Sequence, residues 1–251
     1  MSIIETEGLI LKSFGLSEAD KIVVLLTQHQ GLIRGVAKGA KRLKSKFGGA
    51  LEPFSIVEIE YFQKEERELV SIRQIELVKS FFENASEPEF LQKFAYLAEL
   101  LMEFAPPHDP NENLYRMAKI CLETATDFPQ SLENIALYFE LWILRLGGYL
   151  PDWNKCDDCH RELDRTEQTN LQINFHLLCK NCLKSRSYRI ITPIHRQIFT
   201  SAQKLSPAKF IEFTYQKAES VKEVSVTLKK IISNILGKEM TSEKFLLVNS
   251  Y

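Results

Sequence analysis

Apolar and polar residues alternate through the first 80 positions in a pattern that predicts short β-strands. The clearest segment is 53–62, where apolar residues are interleaved with Ser55, Glu58 and Glu60. The same reading predicts further strands at 3–14, 21–27, 32–37 and 69–78. Residues 28–31 have the length and the closing glycine of a hairpin loop. Five short strands separated by turn signals predict a small closed barrel or a sandwich.

The period changes to that of helices after residue 82. Apolar residues recur at helical spacing, and the expected helices cover 87–104, 111–126, 129–147, 193–205, 219–236 and 241–247. The proline-rich segment 106–110 separates the first two helices, and a glycine pair followed by Pro151 ends the third. The aromatic residues on the helical stripes, such as Phe94 and Phe139, are predicted to form the core.

Composition excludes several classes of protein and charge divides the chain. The 251 residues are 45% apolar and 26% charged, which excludes wholesale disorder, a collagen-like repeat and a coiled-coil rod. The net charge of −1 hides a regional pattern, because residues 1–80 sum to +1, residues 81–150 to −7 and residues 151–251 to +5. An acidic middle between two basic flanks indicates modules with different partners.

The sequence also bears on the compartment in which the protein works. No stretch approaches the ~18 uninterrupted apolar residues of a membrane helix, and residues 1–7 lack the basic start and apolar core of a signal peptide. We therefore expect a cytoplasmic protein without a membrane partner. Thiols stay reduced in that compartment, so paired cysteines are interpreted first as metal ligands.

Two C-x2-C pairs form the strongest chemical motif in the chain. Cys156 and Cys159 are separated by 19 residues from Cys179 and Cys182, a spacing within the zinc-ribbon range. Each two-residue gap lets one tight turn present two thiolates, and four thiolates close a tetrahedral shell around one structural Zn²⁺. The fifth cysteine, Cys121, lies on a helix pattern and is predicted to be a core residue.

Two histidines near these cysteines offer an alternative. His160 and His176 are substitute ligand candidates, and a histidine replacing one thiolate would permit a hydrolytic zinc site. His160 and Leu183 also follow the second cysteine of each pair, where a ribbon commonly has glycine.

A basic run predicts nucleic-acid binding. Six cations and no acid occupy the 13 residues from 34 to 46, namely Arg34, Lys38, Lys41, Arg42, Lys44 and Lys46. Cations on a loop of a small β-barrel are suited to a polyphosphate, and exposed aromatic residues would stack on bases. Phe47, Phe54 and Tyr61 lie near the run and are either such residues or core residues.

The sequence lacks the motifs of the common enzyme classes. It has no P-loop, no H-E-x-x-H, no G-x-S-x-G and no G-x-G-x-x-G, and its five histidines are scattered. We therefore expect a protein that is not an enzyme. A zinc-ribbon adaptor that binds RNA and protein partners is the alternative to a DNA-binding protein.

At this point the residues resemble the bacterial recombination mediator RecO family almost end to end. The N-terminal matches are the segments 8–12, 15–21 and 27–31, followed by A-K-G-A-K-R-L-K-S at 37–45 and L-E-P-F at 51–54. Residues 141–151, the two C-x2-C pairs and residues 237–246 match the remainder in order. The A-K-G-A-K-R run before L-x-P-F, with a four-cysteine ribbon about a hundred residues later, is the specific part of the resemblance.

The resemblance implies an α+β multidomain fold with an N-terminal five-stranded OB-fold barrel, an α-helical middle and a C-terminal zinc-ribbon-like insertion with helices. The expected domains are 1–80, the barrel; 81–150, the helical domain; 151–190, the ribbon; and 191–251, helices that pack on the helical domain. It also implies that the six cations of the basic run contact DNA and that the four paired cysteines bind zinc.

The implied function is that of a DNA repair and recombination mediator associated with the nucleoid. Such proteins bind single- and double-stranded DNA, anneal complementary strands and, with RecR, help RecA load on strands coated with single-strand-binding protein. The basic C-terminal region would then hold the acidic tail of single-strand-binding protein, with Lys229, Lys230, Lys238 and Lys244 as candidates.

Overall fold

The computed structural model describes residues 2–63, 68–183 and 188–242. These residues form two compact units. The barrel unit consists of the described residues of Met1–Pro129 and Glu239–Tyr251, and the ribbon unit is Gln130–Lys238. The predicted division into four domains stays a prediction, because compact units do not show which segments fold independently. Within the described ranges, no helix combines the length and the apolar character needed to cross a membrane.

A closed five-stranded barrel forms the start of the barrel unit. Its strands are β1 (Ser2–Gly15), β2 (Lys21–Thr27), β3 (Gly31–Ala37), β4 (Ser55–Gln63) and β5 (Leu69–Ser80). They close in the order β1-β2-β3-β5-β4, and β3 pairs with β5 in parallel while the other pairs are antiparallel. This five-stranded closed sheet is OB-like, and it confirms the barrel and the five predicted strands.

Alternation along each strand fills the barrel with apolar side chains. The core contains Val23 and Leu25 of β2, Ile33 of β3 and Ile59 of β4. Gly35 permits the parallel pairing of β3 with β5, because a Cβ atom at this position would lie 2.7 Å from the side chain of Ile72.

Strand β1 pairs with two different strands along its length. Its first half pairs with β4, from Ser2 opposite Gln63 to Leu9 opposite Ile56. Its second half pairs with β2 from Gly8 to Gly15, and the register shifts between Ile10 and Lys12. Such a bulge bends the strand and increases its twist, which lets one long strand close a small barrel.

Helices α1 (Phe82–Ala85), α2 (Pro88–Phe104) and α3 (Glu112–Asp127) belong to the same unit as the barrel. Asn111 caps α3 by accepting a hydrogen bond from the Leu114 N–H at 3.0 Å. Tyr115 and Lys119 both donate to Glu7 of β1 at 2.7 Å. Burial raises the pKa of the Glu7 carboxyl, but these two donors outweigh it and hold that pKa below 4.5. Glu7 is therefore ionised, and its carboxylate links β1 of the barrel to α3 through these two hydrogen bonds.

The ribbon unit contains four helices and a small sheet. The helices are α4 (Leu132–Leu146), α5 (Pro193–Ala202), α6 (Pro207–Thr214) and α7 (Ala218–Leu236), and the sheet contains β6 (Thr169–Leu171), β7 (Leu177–Leu178) and β8 (Arg189–Ile191) in the order β7-β6-β8. Helix α4 contacts α5, α6 and α7. Its predicted core residue Phe139 is 1% exposed.

Two helix predictions need correction or fall outside the described residues. The helix predicted over 193–205 ends at Ala202, and a separate helix begins at Pro207, where the Ser206 side chain accepts from the Lys209 N–H. The apolar pattern predicts no helix over Pro207–Thr214, although the serine–proline pair at its start is a helix-start signal. Of the helix predicted over 241–247, only residues 241 and 242 are described, and Lys244 lies outside the described residues.

Candidate functional site

The basic segment, defined as residues 34–46, lies on the surface of the barrel unit. Arg34 is in β3, Lys38 directly follows this strand, and the remaining cations occupy the loop before the short 3-10 turn at Gly48–Leu51. All six cations of the segment are exposed: Arg34, Lys38, Lys41, Arg42, Lys44 and Lys46. The structure therefore gathers them on one strand end and its following loop.

The turn between β1 and β2 holds this loop in place. The Gly39 N–H donates to the Asp20 carboxylate at 2.8 Å, and the Lys41 N–H donates to the Ala19 carbonyl at 2.9 Å. The Lys41 ammonium also donates to the Ser17 carbonyl at 2.6 Å. Nothing in the sequence around Asp20 indicates that its side chain binds the loop after β3. The turn residues thus position the cations although they carry none of the positive charge themselves.

The cations of the segment lack acid partners within the described parts of the chain, and the one carboxylate that contacts the segment there, that of Asp20, binds the Gly39 N–H. None of the six cations forms an ion pair there. Lys41 and Lys46 each donate to a main-chain carbonyl, of Ser17 and Arg73 respectively. The other four, Arg34, Lys38, Arg42 and Lys44, are exposed and make no such contact in the described residues. A concentrated, uncompensated positive charge attracts polyanions.

The three aromatic residues near the segment belong to the core. Phe47 is 3% exposed and Tyr61 is 0% exposed, and both lie in the barrel interior. Phe54 is 4% exposed and packs edge-on against Phe94 of α2, with ring centroids 5.9 Å apart. Burial raises the pKa of the Tyr61 hydroxyl to about 12. None of the three rings is accessible to a base, so the core interpretation of these residues is correct.

The four paired cysteines come together in the ribbon unit. The sulfur atoms of Cys156, Cys159, Cys179 and Cys182 all lie within 4.8 Å of one another, and the Cys159 and Cys179 sulfurs are 4.0 Å apart. A tetrahedral zinc–thiolate site with Zn–S bonds of ~2.3 Å has sulfurs about 3.8 Å apart. The donor set and its spacing therefore fit one Zn²⁺ ion.

Tight turns at both cysteine pairs create this arrangement. The His160 N–H donates to the Cys156 carbonyl at 2.8 Å, and the Cys182 N–H donates to the Cys179 carbonyl at 3.1 Å. The Cys179 N–H in turn donates to the Cys156 sulfur at 3.3 Å, which links the two turns. His160 has φ of 58°, the left-handed conformation for which glycine is usual. His160 and His176 are not members of the four-cysteine cluster found among the described residues.

The surroundings of the cluster favour the thiolate form of its buried cysteines. Burial raises the pKa of the Cys179 thiol, but donors from Cys182, Asn181 and the Arg161 guanidinium outweigh it and lower that pKa to about 6. Arg161 is fixed by a two-pronged pair with Glu167, one contact of which measures 2.9 Å. Thiolate is the form that binds a metal ion. Cys121, by contrast, is fully buried in α3, and burial raises the pKa of its thiol, as expected for a core residue.

Comparison with known proteins agrees with this architecture. The family model described as "Recombination protein O N terminal" matches residues 1–81, and "Recombination protein O C terminal" matches residues 94–243. The chain belongs to the RecO family. The first RecO match contains the barrel and the basic segment, and the second contains the four paired cysteines.

Curated relatives named "DNA repair protein RecO" support the assignment. The protein of Koribacter versatilis is 33% identical over 64% of this chain and 65% of its own length. That of Geobacter metallireducens is 32% identical over 72% of this chain and 73% of its own length. That of Thermodesulfovibrio yellowstonii is 28% identical over 94% of both chains. The resemblance to RecO predicted from the motifs is thus confirmed along nearly the whole chain.

Proposed function

We propose that this chain binds single- and double-stranded DNA through the basic segment and anneals complementary strands in DNA repair and recombination. The family to which it belongs is one of DNA repair and recombination proteins. The observation that carries the proposal is the set of six exposed cations on an OB-like barrel, without an acid partner among the described residues. OB-like barrels bind oligonucleotides across the β2–β3 face and adjoining loops.

Annealing follows from the chemistry of this surface. The cations reduce the repulsion between the phosphates of two strands, and they contact the backbone and not the base edges. Base complementarity then supplies the specificity, so the protein needs neither sequence readout nor nucleotide hydrolysis. We assign these DNA contacts to Arg34, Lys38, Lys41, Arg42, Lys44 and Lys46.

A structural zinc ion completes the proposal. Cys156, Cys159, Cys179 and Cys182 would hold one Zn²⁺ ion, which supplies folding free energy to the ribbon when bound. Four thiolates leave no coordination position for a reactive water, which supports a role that is not enzymatic. The four-cysteine cluster therefore argues against the hydrolytic alternative with a histidine ligand.

The finer partners are proposed from the family resemblance. With RecR, the protein would help RecA replace single-strand-binding protein, whose acidic tail would dock on the basic C-terminal region. In that region Lys230 lies on α7, and its ammonium is 5.0 Å from the centre of the Tyr188 ring. An acidic peptide bearing apolar residues could use both groups, since the ammonium attracts carboxylates and the ring offers apolar contact. Binding of the isolated tail peptide to wild type and Lys230→Glu measures this contact.

Annealing of two complementary oligonucleotides, without single-strand-binding protein, tests the main proposal. The double variant Arg42→Glu/Lys44→Glu reverses two cations that make no main-chain contact, so the loop should keep its position. We expect annealing to fall at least tenfold, with a parallel loss of affinity for both single strands and duplexes. The matched control is Lys204→Glu/Lys209→Glu, which makes the same change of charge at two exposed residues of the ribbon unit.

Equal losses in the two variants would show that annealing depends on the net charge of the protein, and would contradict the assignment to the basic segment. Undiminished annealing by Arg42→Glu/Lys44→Glu would contradict it as well. Competition between DNA and RNA strands of matched sequence separates the RNA-binding alternative, which requires preference for the strand with 2′-hydroxyl groups.

A further inference from the structure

An exposed aromatic ring lies on the outer face of the barrel, beside the basic segment. Phe14 near the end of β1 is 42% exposed, whereas Phe47, Phe54 and Tyr61 are buried. In the register of the sheet, Phe14 lies opposite Ile22 of β2. Ile22 in turn lies opposite Val36 of β3. The ring therefore lies at one end of a row of partly exposed apolar side chains that crosses three strands.

Two cations lie in the neighbouring row of the same face. Lys12 is opposite Val24, and Val24 is opposite Arg34. The alternate residues Val23 and Ile33 point into the barrel core, so Lys12 and Arg34 face outwards. The Lys12 ammonium lies 5.9 Å from the centre of the Phe14 ring. The face thus combines an aromatic ring, an apolar row and a cation at each end of the adjacent row.

The basic segment is continuous with this face. The residue after Phe14 is Gly15, and a Cβ atom there would lie 2.5 Å from the Lys41 ammonium. The glycine therefore permits the lysine of the loop to approach the end of β1. The loop cations and the ring of Phe14 consequently border one another on the surface of the barrel unit.

Another side of the barrel carries the opposite charge. Where β1 pairs with β4, and β4 with β5, the register places Glu7, Glu58 and Glu76 in one row. The next row contains Glu5, Glu60 and Gln74. Like charges directly opposite one another repel, and they also repel phosphates. Glu7 is paired with Lys119 and Glu60 with Arg73, so the uncompensated acids of these rows in the described residues are Glu5, Glu58 and Glu76. Their charge disfavours phosphates on that side of the barrel and favours the β1–β2–β3 face, where Phe14 lies, for a nucleic-acid strand.

We propose that Phe14 is a stacking platform for an unpaired base of single-stranded DNA, with Lys12 and Arg34 contacting the phosphates that flank this base. The inference rests on the proposed DNA binding and adds to it a means of distinguishing single strands from duplexes. An aromatic ring stacks on any unpaired base without sequence preference. In a duplex the base faces are covered by their neighbours, so the ring finds no partner there. The loop cations, by contrast, contact the phosphates of both forms.

Fluorescence anisotropy with a labelled thymidine 30-mer and a labelled 30-base-pair duplex tests this inference at one fixed salt concentration. We expect Phe14→Ala to weaken binding of the single strand by about 5- to 150-fold, the range for loss of one stacked base, and to change duplex binding by less than about twofold. Phe14→Trp should keep single-strand affinity, and its added tryptophan fluorescence should be quenched by the single strand only. The control Tyr215→Ala removes a ring that is 71% exposed in the ribbon unit and should change neither affinity.

The outcomes separate this inference from the proposed function. If wild type binds DNA, Arg42→Glu/Lys44→Glu weakens both forms and Phe14→Ala weakens neither, the DNA-binding function stands and the stacking platform is wrong. Equal loss of both forms in Phe14→Ala would also overturn the platform. If wild type binds neither probe, the proposed function itself fails. Thermal unfolding of each variant checks that the barrel remains folded, and Phe14→Trp provides the test if Phe14→Ala does not fold.

Discussion

The buried guanidinium of Arg196 in α5 binds the segment 153–167, which includes the first cysteine pair, to the helices of the ribbon unit. Arg196 is 6% exposed, and its Nε donates to the Trp153 carbonyl at 2.9 Å. Its terminal nitrogens donate to the carbonyls of Leu163, Asp164 and Glu167 at 3.1, 2.6 and 3.3 Å. Burial lowers the pKa of this group, yet its five donors in a planar fork suit a cluster of carbonyls. One side chain thus satisfies four backbone acceptors that no regular strand or helix pairs.

Arg196→Met tests the importance of this contact. The variant keeps much of the apolar volume but removes the guanidinium donor from four carbonyls, of which only that of Asp164 keeps another donor among the described residues, the Glu167 N–H at 3.1 Å. We therefore expect the ribbon unit to lose about 2–4 kcal/mol of unfolding free energy. Tryptophan fluorescence in a urea titration measures the loss, because Trp142 and Trp153 both lie in this unit. The control is Arg165→Met at an exposed arginine of the same segment, with an expected change below about 0.5 kcal/mol. A similarly small change in Arg196→Met would show that water replaces the guanidinium without cost.

Among the elements, those whose hydrophobic pattern extends over many residues were predictable from the sequence, and those too short to show such a pattern were not. The barrel strands have one face in the core, so their alternation is visible in the sequence. Strands β6, β7 and β8 have two or three residues each, too few for any period to show. No helix was predicted where α6 lies, because its eight residues, Pro207–Thr214, are too few for a helical period to stand out between the helices predicted over 193–205 and 219–236. The cysteine cluster was predictable because each pair has the residue type and the two-residue gap of a metal site, whereas nothing in the residue types around Asp20 and Arg196 indicates which segments they contact.

The same distinction applies to the candidate interface. The basic segment was visible as a run of charge, but the role of the aromatic residues depended on the register of β1. Phe14 and Phe54 look alike in the sequence, since each is a phenylalanine in or beside a predicted strand. The bulge between Ile10 and Lys12 and the closure of the barrel decide which ring is exposed. Sequence alone contains no signal for either.

Metal removal should affect the ribbon and leave the barrel intact. The ribbon has little regular structure, so zinc binding should supply on the order of 10 kcal/mol of apparent folding free energy. We expect a chelator, or Cys179→Ser, to abolish zinc by elemental analysis and to raise amide hydrogen exchange through residues 153–183. Exchange in β1 to β5 should not change. Cys121→Ala is the control, because it removes a thiol outside the cluster and should keep one zinc ion per chain. A protected ribbon in protein free of metal would contradict this prediction.

On the scale of the whole molecule, the net charge of −1 conceals segregated surfaces. Within the barrel unit, cations cluster on one strand end and its loop while glutamates line the β1–β4–β5 side. Attraction at one surface and repulsion at another restrict where a polyanion can bind, even though the total charge is close to zero. The four paired cysteines lie in the other compact unit, so we expect the metal to have no direct part in phosphate binding.

These two features predict how DNA affinity responds to salt and to a chelator. Four cations of the basic segment make neither an acid nor a carbonyl contact in the described residues: Arg34, Lys38, Arg42 and Lys44. If each neutralises one phosphate of a single strand, affinity should fall about 50-fold between 50 and 200 mM salt, a logarithmic slope of about −2.8. Arg42→Glu/Lys44→Glu should reduce this slope to about −1.4, so that its affinity falls about sevenfold over the same range.

A chelator should leave the wild-type slope unchanged, because the cysteines and the basic segment lie in different units. Binding isotherms at the two salt concentrations, each with and without chelator, measure all of these quantities. A flat response to salt would exclude phosphate neutralisation by the basic segment, and a slope that collapses on chelation would show that the zinc ion shapes the DNA-binding surface.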